Sequence, residues 1–235
     1  QRQMCIRDRY STKWFSFFVF LLLMVSVHAQ ENLTAYWQPQ IAVNYKVVGT
    51  YSHNFSVANR NYIYDDEELT LKGRQLDLAH FSKLKTRDNQ SIALGIQYRF
   101  RNNFEDRENE LRLTQQYNIT HKPLAVRFGH RIRTEQRITN SLTIHRFRYR
   151  FALDFPLMGE ELDPGEPYFV GSFENLLSVA KHNAPQYDTR LSGQIGWELN
   201  GGVKFQMGVE YRMEDYSSNL PQNILFLLTS AQLSL

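Results

Sequence analysis

The 235-residue chain carries 42% hydrophobic and 22% charged residues, with 27 Lys+Arg against 24 Asp+Glu. Its length suits one large all-β domain or two small ones. A negative mean hydropathy argues against a helical membrane protein but leaves a barrel open, because barrel strands hide half their residues from lipid.

Residues 1–29 read as a leader. Residues 1–10 fit no targeting pattern and are read as extraneous to the native chain. Lys13 then precedes the apolar run Trp14 to Val27, which ends in Val27-His28-Ala29 before Gln30. Positive charge, apolar core and small residues at −3 and −1 describe a secretory signal over 11–29, cleaved after Ala29. The run is shorter than the ~20 apolar residues a spanning helix needs. Losing Arg2, Arg7, Arg9, Lys13 and Asp8 lowers Lys+Arg from 27 to 23 and Asp+Glu from 24 to 23. The remaining domain, 30–235, is thus formally neutral, and bulk charge gives no support for nucleic-acid binding. The only cysteine, Cys5, leaves with the leader. No disulfide, thiol nucleophile or cysteine metal ligand is expected, and no lipid-anchored cysteine.

Alternation with period two, the mark of a strand with two unlike faces, recurs from Leu33 almost to the end. It predicts strands at 36–47, 50–63, 69–84, 91–101, 109–119, 124–136, 142–155, 168–179, 187–199, 203–214 and 224–235. In 91–101, Ile92, Leu94, Ile96, Tyr98 and Phe100 oppose Ala93, Gly95, Gln97, Arg99 and Arg101. In 124–136, Leu124, Val126, Phe128 and Ile132 oppose Arg127, Gly129, Arg131, Arg133 and Glu135. Phe147, Tyr149, Phe151, Leu153 and Phe155 then oppose Arg146, Arg148, Arg150 and Asp154. Leu191, Ile195, Trp197 and Leu199 oppose Arg190, Gln194 and Glu198. Val203, Phe205, Met207, Val209, Tyr211 and Met213 oppose Lys204, Gln206, Gly208, Glu210 and Arg212. Asn200-Gly201-Gly202 predicts a tight hairpin, which needs positive φ. Shorter and longer connections roughly alternate.

Bacterial single-chain barrels use even strand numbers, so twelve strands are expected, or ten. The predicted fold is an all-β, antiparallel, up-and-down transmembrane barrel behind a signal peptide. Alternation alone does not separate it from a soluble sandwich. Several runs exceed ten residues, whereas soluble strands run ~5–6 and a bilayer crossing takes ~9–11. The apolar faces are rich in aromatics near strand ends, as an interfacial girdle requires. Small residues (Ala93, Gly95, Gly129, Ala152, Gly196, Gly208) interrupt the charged face, which in a lumen leaves room for long Arg and Glu side chains.

Several of these segments resemble domain of unknown function family 2490. The likeness rests on Gly129-His130-Arg131-Ile132-Arg133-Thr134-Glu135-Gln136-Arg137 and on His145-Arg146-Phe147-Arg148-Tyr149-Arg150 leading to Phe155-Pro156-Leu157. Phe173-Glu174-Asn175, Tyr187-Asp188-Thr189-Arg190 and Gly208-Val209-Glu210-Tyr211-Arg212 match later positions. The resemblance runs from about Tyr36 to the C-terminus. It implies an outer-membrane barrel of unknown function and brings no catalytic residues with it.

The lumen is where function is sought. Arg127, Arg131 and Arg133 on one strand should lie beside Arg146, Arg148 and Arg150 on the next, and like charges opposite one another destabilise a sheet. Glu135 and Asp154 are local compensators; Glu174, Glu198, Glu210 and Glu214 could reach across, with Arg190 and Arg212 completing the network. The plain reading is a structural ion network. The sharper one is a lumen that takes a small anion. A serine hydrolase would need a histidine beside its serine; Ser52, His53, Asn54 and Ser56, or His80 with Ser82, are the candidates, and no nucleophile-elbow sequence accompanies them. His53, His80, His121, His130, His145 and His182 are scattered without paired metal-ligand spacing, so no catalytic residue, metal or cofactor is assigned. Asp65-Asp66-Glu67-Glu68 reads as a solvated acidic loop.

The sequence therefore points to a Gram-negative outer-membrane barrel, structural or with a narrow pore, without covalent chemistry. Its expected partners are outer-membrane lipid, lipopolysaccharide and the barrel-insertion machinery, which would meet the apolar last strand of Leu225, Leu227, Leu233 and Leu235. Two readings stand beside it: a lipid-modifying hydrolase or acyltransferase in the same membrane, and a secreted soluble barrel binding a small apolar ligand. In the last, the charged face would turn outward.

Overall fold

The computed structural model describes residues 33–199, 202–218 and 220–235. The expected leader lies outside these residues, as do Asn200 and Gly201 of the expected tight hairpin.

Eleven strands form: β1 (Leu33–Val48), β2 (Tyr51–Asp65), β3 (Glu68–Arg87), β4 (Gln90–Phe100), β5 (Glu110–His121), β6 (Arg127–Ile138), β7 (Thr143–Pro156), β8 (Pro167–Ala180), β9 (Gln186–Leu199), β10 (Val203–Glu214) and β11 (Gln222–Ser234). Their bounds follow the eleven alternating runs of the sequence closely. Each strand pairs antiparallel with the next, and β1 pairs with β11 to close the barrel.

Two expectations need correction here. The count is odd, between the ten and twelve expected, and the sheet is mixed. One follows from the other. In a meander of eleven strands the first and last run the same way, so the closing pair must be parallel. It keeps one register from Leu33↔Asn223 to Asn44↔Ser234. The bonds between Lys46 N and Leu235 O (3.1 Å) and between Leu235 N and Asn44 O (2.8 Å) carry it to the chain end. An odd count is compatible with closure; evenness is a habit of bacterial barrels and not a geometric condition, since a 19-stranded barrel is known.

Turn length does not distinguish the two ends. Two-residue turns occur at 49–50 and 88–89 on one end and at 66–67 on the other. The acidic run is not a loop. Asp65 and Glu68 close β2 and β3, while Asp66 (φ 48°) and Glu67 (φ 63°) make the turn. Positive φ at both central positions is the geometry whose twist matches a two-residue hairpin.

The pleat sorts the side chains as the alternation predicts. On β4, Ile92, Leu94, Ile96 and Tyr98 are exposed on the outer surface, whereas Ser91, Ala93 and Arg99 are buried within. Ile132, Phe147, Tyr149, Leu191, Ile195, Met207 and Val209 continue the outer apolar surface. The lumen holds the charges and one small apolar cluster, Tyr36, Tyr62, Ile224 and Phe226, on β1, β2 and β11.

Candidate functional site

Strand pairing sets the problem that the lumen must solve. The register places Arg131 opposite Arg150 and Arg133 opposite Arg148 on β6 and β7, with Glu135 opposite Arg146. Facing guanidinium groups repel, so each must find a carboxylate or a neutral acceptor.

Arg148 resolves its position by spanning three strands. Its Nη1 donates to Glu135 Oε1 at 2.7 Å and its Nη2 to Glu174 Oε1 at 2.6 Å. Arg133 shares Glu135 at 3.4 Å and donates to Gln116 Oε1 from Nε (3.0 Å) and Nη2 (2.6 Å). Arg190 reaches Glu174 at 3.5 Å and Glu214 at 3.9 Å. Arg146 donates to Ser178 Oγ at 2.9 Å and lies 3.6 Å from Asp188. Arg212 holds Glu210 at 2.5 Å, Arg127 holds Asp154 at 2.9 Å, and Lys204 holds Glu198 at 2.8 Å. Of the twelve residues singled out in the sequence, Arg131, Arg133, Arg146, Arg148, Arg150, Glu174, Arg190, Glu210 and Arg212 line one cavity of the barrel, Arg127 lines a second, Glu135 is buried beside Arg148, and Glu198 pairs with Lys204.

Three further groups escaped the sequence reading. Asp77 on β3 grips Arg99 on β4. Glu110, 1% exposed, is clamped by Arg137 (2.7 Å), Arg101 (3.2 Å) and Arg112. The alternation on β4 turns Arg99 and Arg101 inward, but it gives no face for Arg112 or Arg137, and the carboxylates lie on strands whose pairing the local pattern does not encode. The third group is aromatic. The Arg212 guanidinium sits 3.8 Å from the Phe226 ring centre, Arg60 4.7 Å from the same ring, and Arg74 4.7 Å from that of Tyr36. Such stacking offers desolvated cations a π face. The β4–β5 loop covers this cluster: Phe104 packs over Gly73, while Glu105 accepts a hydrogen bond from Tyr62 (2.5 Å) and pairs with Arg107 (3.2 Å).

Not every small inward residue makes room for a charge. A Cβ on Gly95 would stand 2.2 Å from the Phe81 ring, and one on Gly196 2.4 Å from Tyr168. These glycines seat aromatic rings. Gly129 and Ala152 do stand opposite each other between the arginine rows, with nothing nearer than 4.0 Å to a Cβ added at Gly129.

The serine and histidine candidates divide between faces. Ser52, Asn54 and Ser56 line the lumen. His53, His80 and Ser82 lie on the opposite parity with exposed Phe55 and Leu78. His53 Nδ1 is 3.0 Å from His80 Nε2 and 3.2 Å from Ser82 Oγ. A serine relay needs the serine on one ring nitrogen and the orienting group on the other; here both meet the same nitrogen, so the cluster lacks that arrangement. His130 faces outward too, 2.9 Å from Tyr149 Oη. Among the described residues no three His, Cys, Asp or Glu side chains are grouped to hold a metal ion.

Two cavities, about 980 and 710 Å³, occupy the lumen, the first mainly polar and the second mixed, with more apolar than polar lining. Asn44, Ser52, Lys83, Gln116, Arg131 and Arg150 line both. Arg131 donates to Asn118 Oδ1 at 2.9 Å; Arg150 Nε is buried without a partner. No curated protein matches the chain. A family model described as a protein of unknown function (DUF2490) matches residues 34–223. That span covers nearly all of the barrel, the arginine-bearing strands included, and the chain is a member of the DUF2490 family.

Proposed function

We propose that this protein is a β-barrel of the Gram-negative outer membrane, exported by a signal cleaved after Ala29, with a structural or narrow-pore role. The observation that carries the reading is the inverted distribution of polarity. Ile41, Leu94, Ile132 and Leu191 are each more than half exposed on the outer surface, while Glu110, Glu135 and Arg99 are at most 6% exposed inside. In water both choices are unfavourable: soluble monomers rarely expose contiguous apolar patches beyond a few hundred Å², and charges enclosed in a lumen lose solvation. Lipid outside removes the first cost, and the ion pairs offset the second. A soluble carrier of apolar ligands would need the reverse arrangement. Acyl chains and lipopolysaccharide then contact the outer belt, and insertion proceeds through the cell's barrel-insertion machinery.

The lumen fits a narrow passage at most. Eight strands are filled by side chains and sixteen leave an open channel; eleven strands with this many long arginines fall between.

Fractionation tests the assignment. The protein should partition with the sarkosyl-insoluble envelope and migrate faster in gels before boiling than after. Ile132→Arg, on the outer face, should cost about 2–4 kcal/mol if it lies near the bilayer midplane and reduce the folded band. Recovery as a soluble periplasmic protein without detergent would remove the reading.

A further inference from the structure

We propose that the lumen contains a phosphate-binding site formed by Lys83, Arg131 and Arg150 at the junction of the two cavities. This deepens the lumen reading above and depends on the closed barrel, not on the membrane.

The residues shared by both cavities are three cations and three neutral hydrogen-bonding groups, Asn44, Ser52 and Gln116. They come from β1, β2, β3, β5, β6 and β7 and so converge from a wide arc of wall. No described carboxylate pairs with the three cations, although acids are near. Glu174 stands opposite Arg150 in register, but Arg148 and Arg190 hold its Oε1. Asp154 is taken by Arg127 and Asp88 by Lys85.

Apart from Arg60, which bonds Gln38 and stacks on Phe226, the other arginines lining this cavity pair with carboxylates, which makes the exception informative. Arg131 and Arg150 are direct cross-strand partners, an arrangement that costs stability by itself. Arg150 also keeps a buried, unpartnered Nε. Beside them Gly129 and Ala152 leave space on the same face. Uncompensated guanidinium groups, adjacent room and nearby amide and hydroxyl groups together form an oxyanion site. Arginine binds phosphate oxygens in a fork, with charge-assisted bonds about twice as strong as neutral ones. Three positive charges suit a phosphate group, which carries up to two negative charges near neutral pH, better than a singly charged carboxylate. The phosphate could arrive as the free ion or on a lipid headgroup.

The test uses the purified folded barrel in a phosphate-free zwitterionic detergent, at ionic strength held constant with chloride. Titration calorimetry with inorganic phosphate should give saturable binding and a raised thermal midpoint; acetate should bind at least tenfold more weakly. Arg131→Gln and Arg150→Gln should each weaken phosphate binding at least tenfold. Both should retain heat-modifiable mobility and an unchanged or higher midpoint without phosphate, because removing one of two facing cations relieves repulsion. If either variant fails to fold, Lys83→Gln supplies the same comparison from a different strand. Glycerol 3-phosphate binding as tightly as inorganic phosphate supports recognition of the phosphate group alone. Binding tenfold tighter supports a lipid headgroup as source. Absence of a phosphate-specific heat, or a Kd within threefold of wild type in every variant, would overturn the proposal. Lack of phosphate binding by a protein still found in the outer membrane refutes only the site. Phosphate binding by a freely soluble protein refutes only the membrane assignment.

Discussion

Arg99 and Asp77 face each other directly across β4 and β3, and the guanidinium holds the carboxylate at two points, Nε to Oδ1 at 2.6 Å and Nη2 to Oδ2 at 2.7 Å. Gln75 supports the acid with a bond from Nε2 to Oδ2 at 3.1 Å. Arg99 is 6% exposed, so removing its partner leaves a desolvated charge. Asp77→Asn should destabilise the barrel by about 3–5 kcal/mol, whereas the double replacement Asp77→Leu with Arg99→Met should be close to neutral. Urea unfolding of the protein in lipid vesicles, followed by tryptophan fluorescence, measures both. A small effect in Asp77→Asn would mean that water reaches this part of the lumen.

Gly95 is the seat of the Phe81 ring. A Cβ there would lie 2.2 to 2.7 Å from three ring atoms, so the ring must shift to admit it. Gly95→Ala should cost about 1–3 kcal/mol through overpacking. Phe81→Leu should recover part of that loss when added to Gly95→Ala and should itself be destabilising in the wild-type background. The temperature at which the fast-migrating gel band disappears gives the comparison across the four proteins.

These two sites also mark how far the sequence could be read. The two-residue period turned Arg99 inward and gave both ends of β4 because a strand with unlike faces must alternate. It gave Gly95 a place on the charged face but not its occupant, since Phe81 sits one strand away in a segment where polar and apolar residues alternate poorly. The arginine strands were legible for the same reason as β4, and their partners were not. Arg148 meets Glu135 on β6 and Glu174 on β8, and that choice depends on register, which local pattern does not encode. Lys83 illustrates the gap well. It lies on the blurred strand β3, so its convergence with Arg131 and Arg150 on the cavity junction is visible only in the closed barrel.

Glu108, in the loop between β4 and β5, ties that loop to the β6–β7 turn. Ser141 donates to its Oε2 from the hydroxyl at 2.8 Å and from the backbone N–H at 3.1 Å. Hydrogen bonds from Ser141, then Thr139, hold the carboxyl below its ordinary value of 4.5. A carboxyl depressed in the folded state favours the tied arrangement above its unfolded value and loses that contribution as pH falls through the depressed one. The amide of Ser141 should therefore keep its exchange protection at neutral pH and lose it on acidification below the ordinary glutamate range. Glu108→Gln should show reduced protection already at neutral pH and a flat profile below it. Protection factors for Ser141 from amide exchange, corrected for intrinsic rates, read this out; equal protection in both proteins at every pH would show that the tie does not form.

The parallel seam makes a prediction that no antiparallel closure shares. In the β1–β11 pair Ile41 meets Ala231 and Val43 meets Leu233, the partner advancing with the chain. Were the strands antiparallel about the same Ile41–Ala231 contact, Val43 would meet Thr229 instead. Neighbouring strands lie about 4.7–4.9 Å apart, within the Cα range of about 4.4–6.8 Å that a disulfide spans. Val43→Cys with Leu233→Cys should thus form an intrachain disulfide under mild oxidation, detected as faster migration of the boiled, unreduced protein. Val43→Cys with Thr229→Cys should stay reduced, because along a parallel ladder those positions are four residues out of step. The opposite pattern would replace the parallel seam with an antiparallel one, and with it the odd strand count.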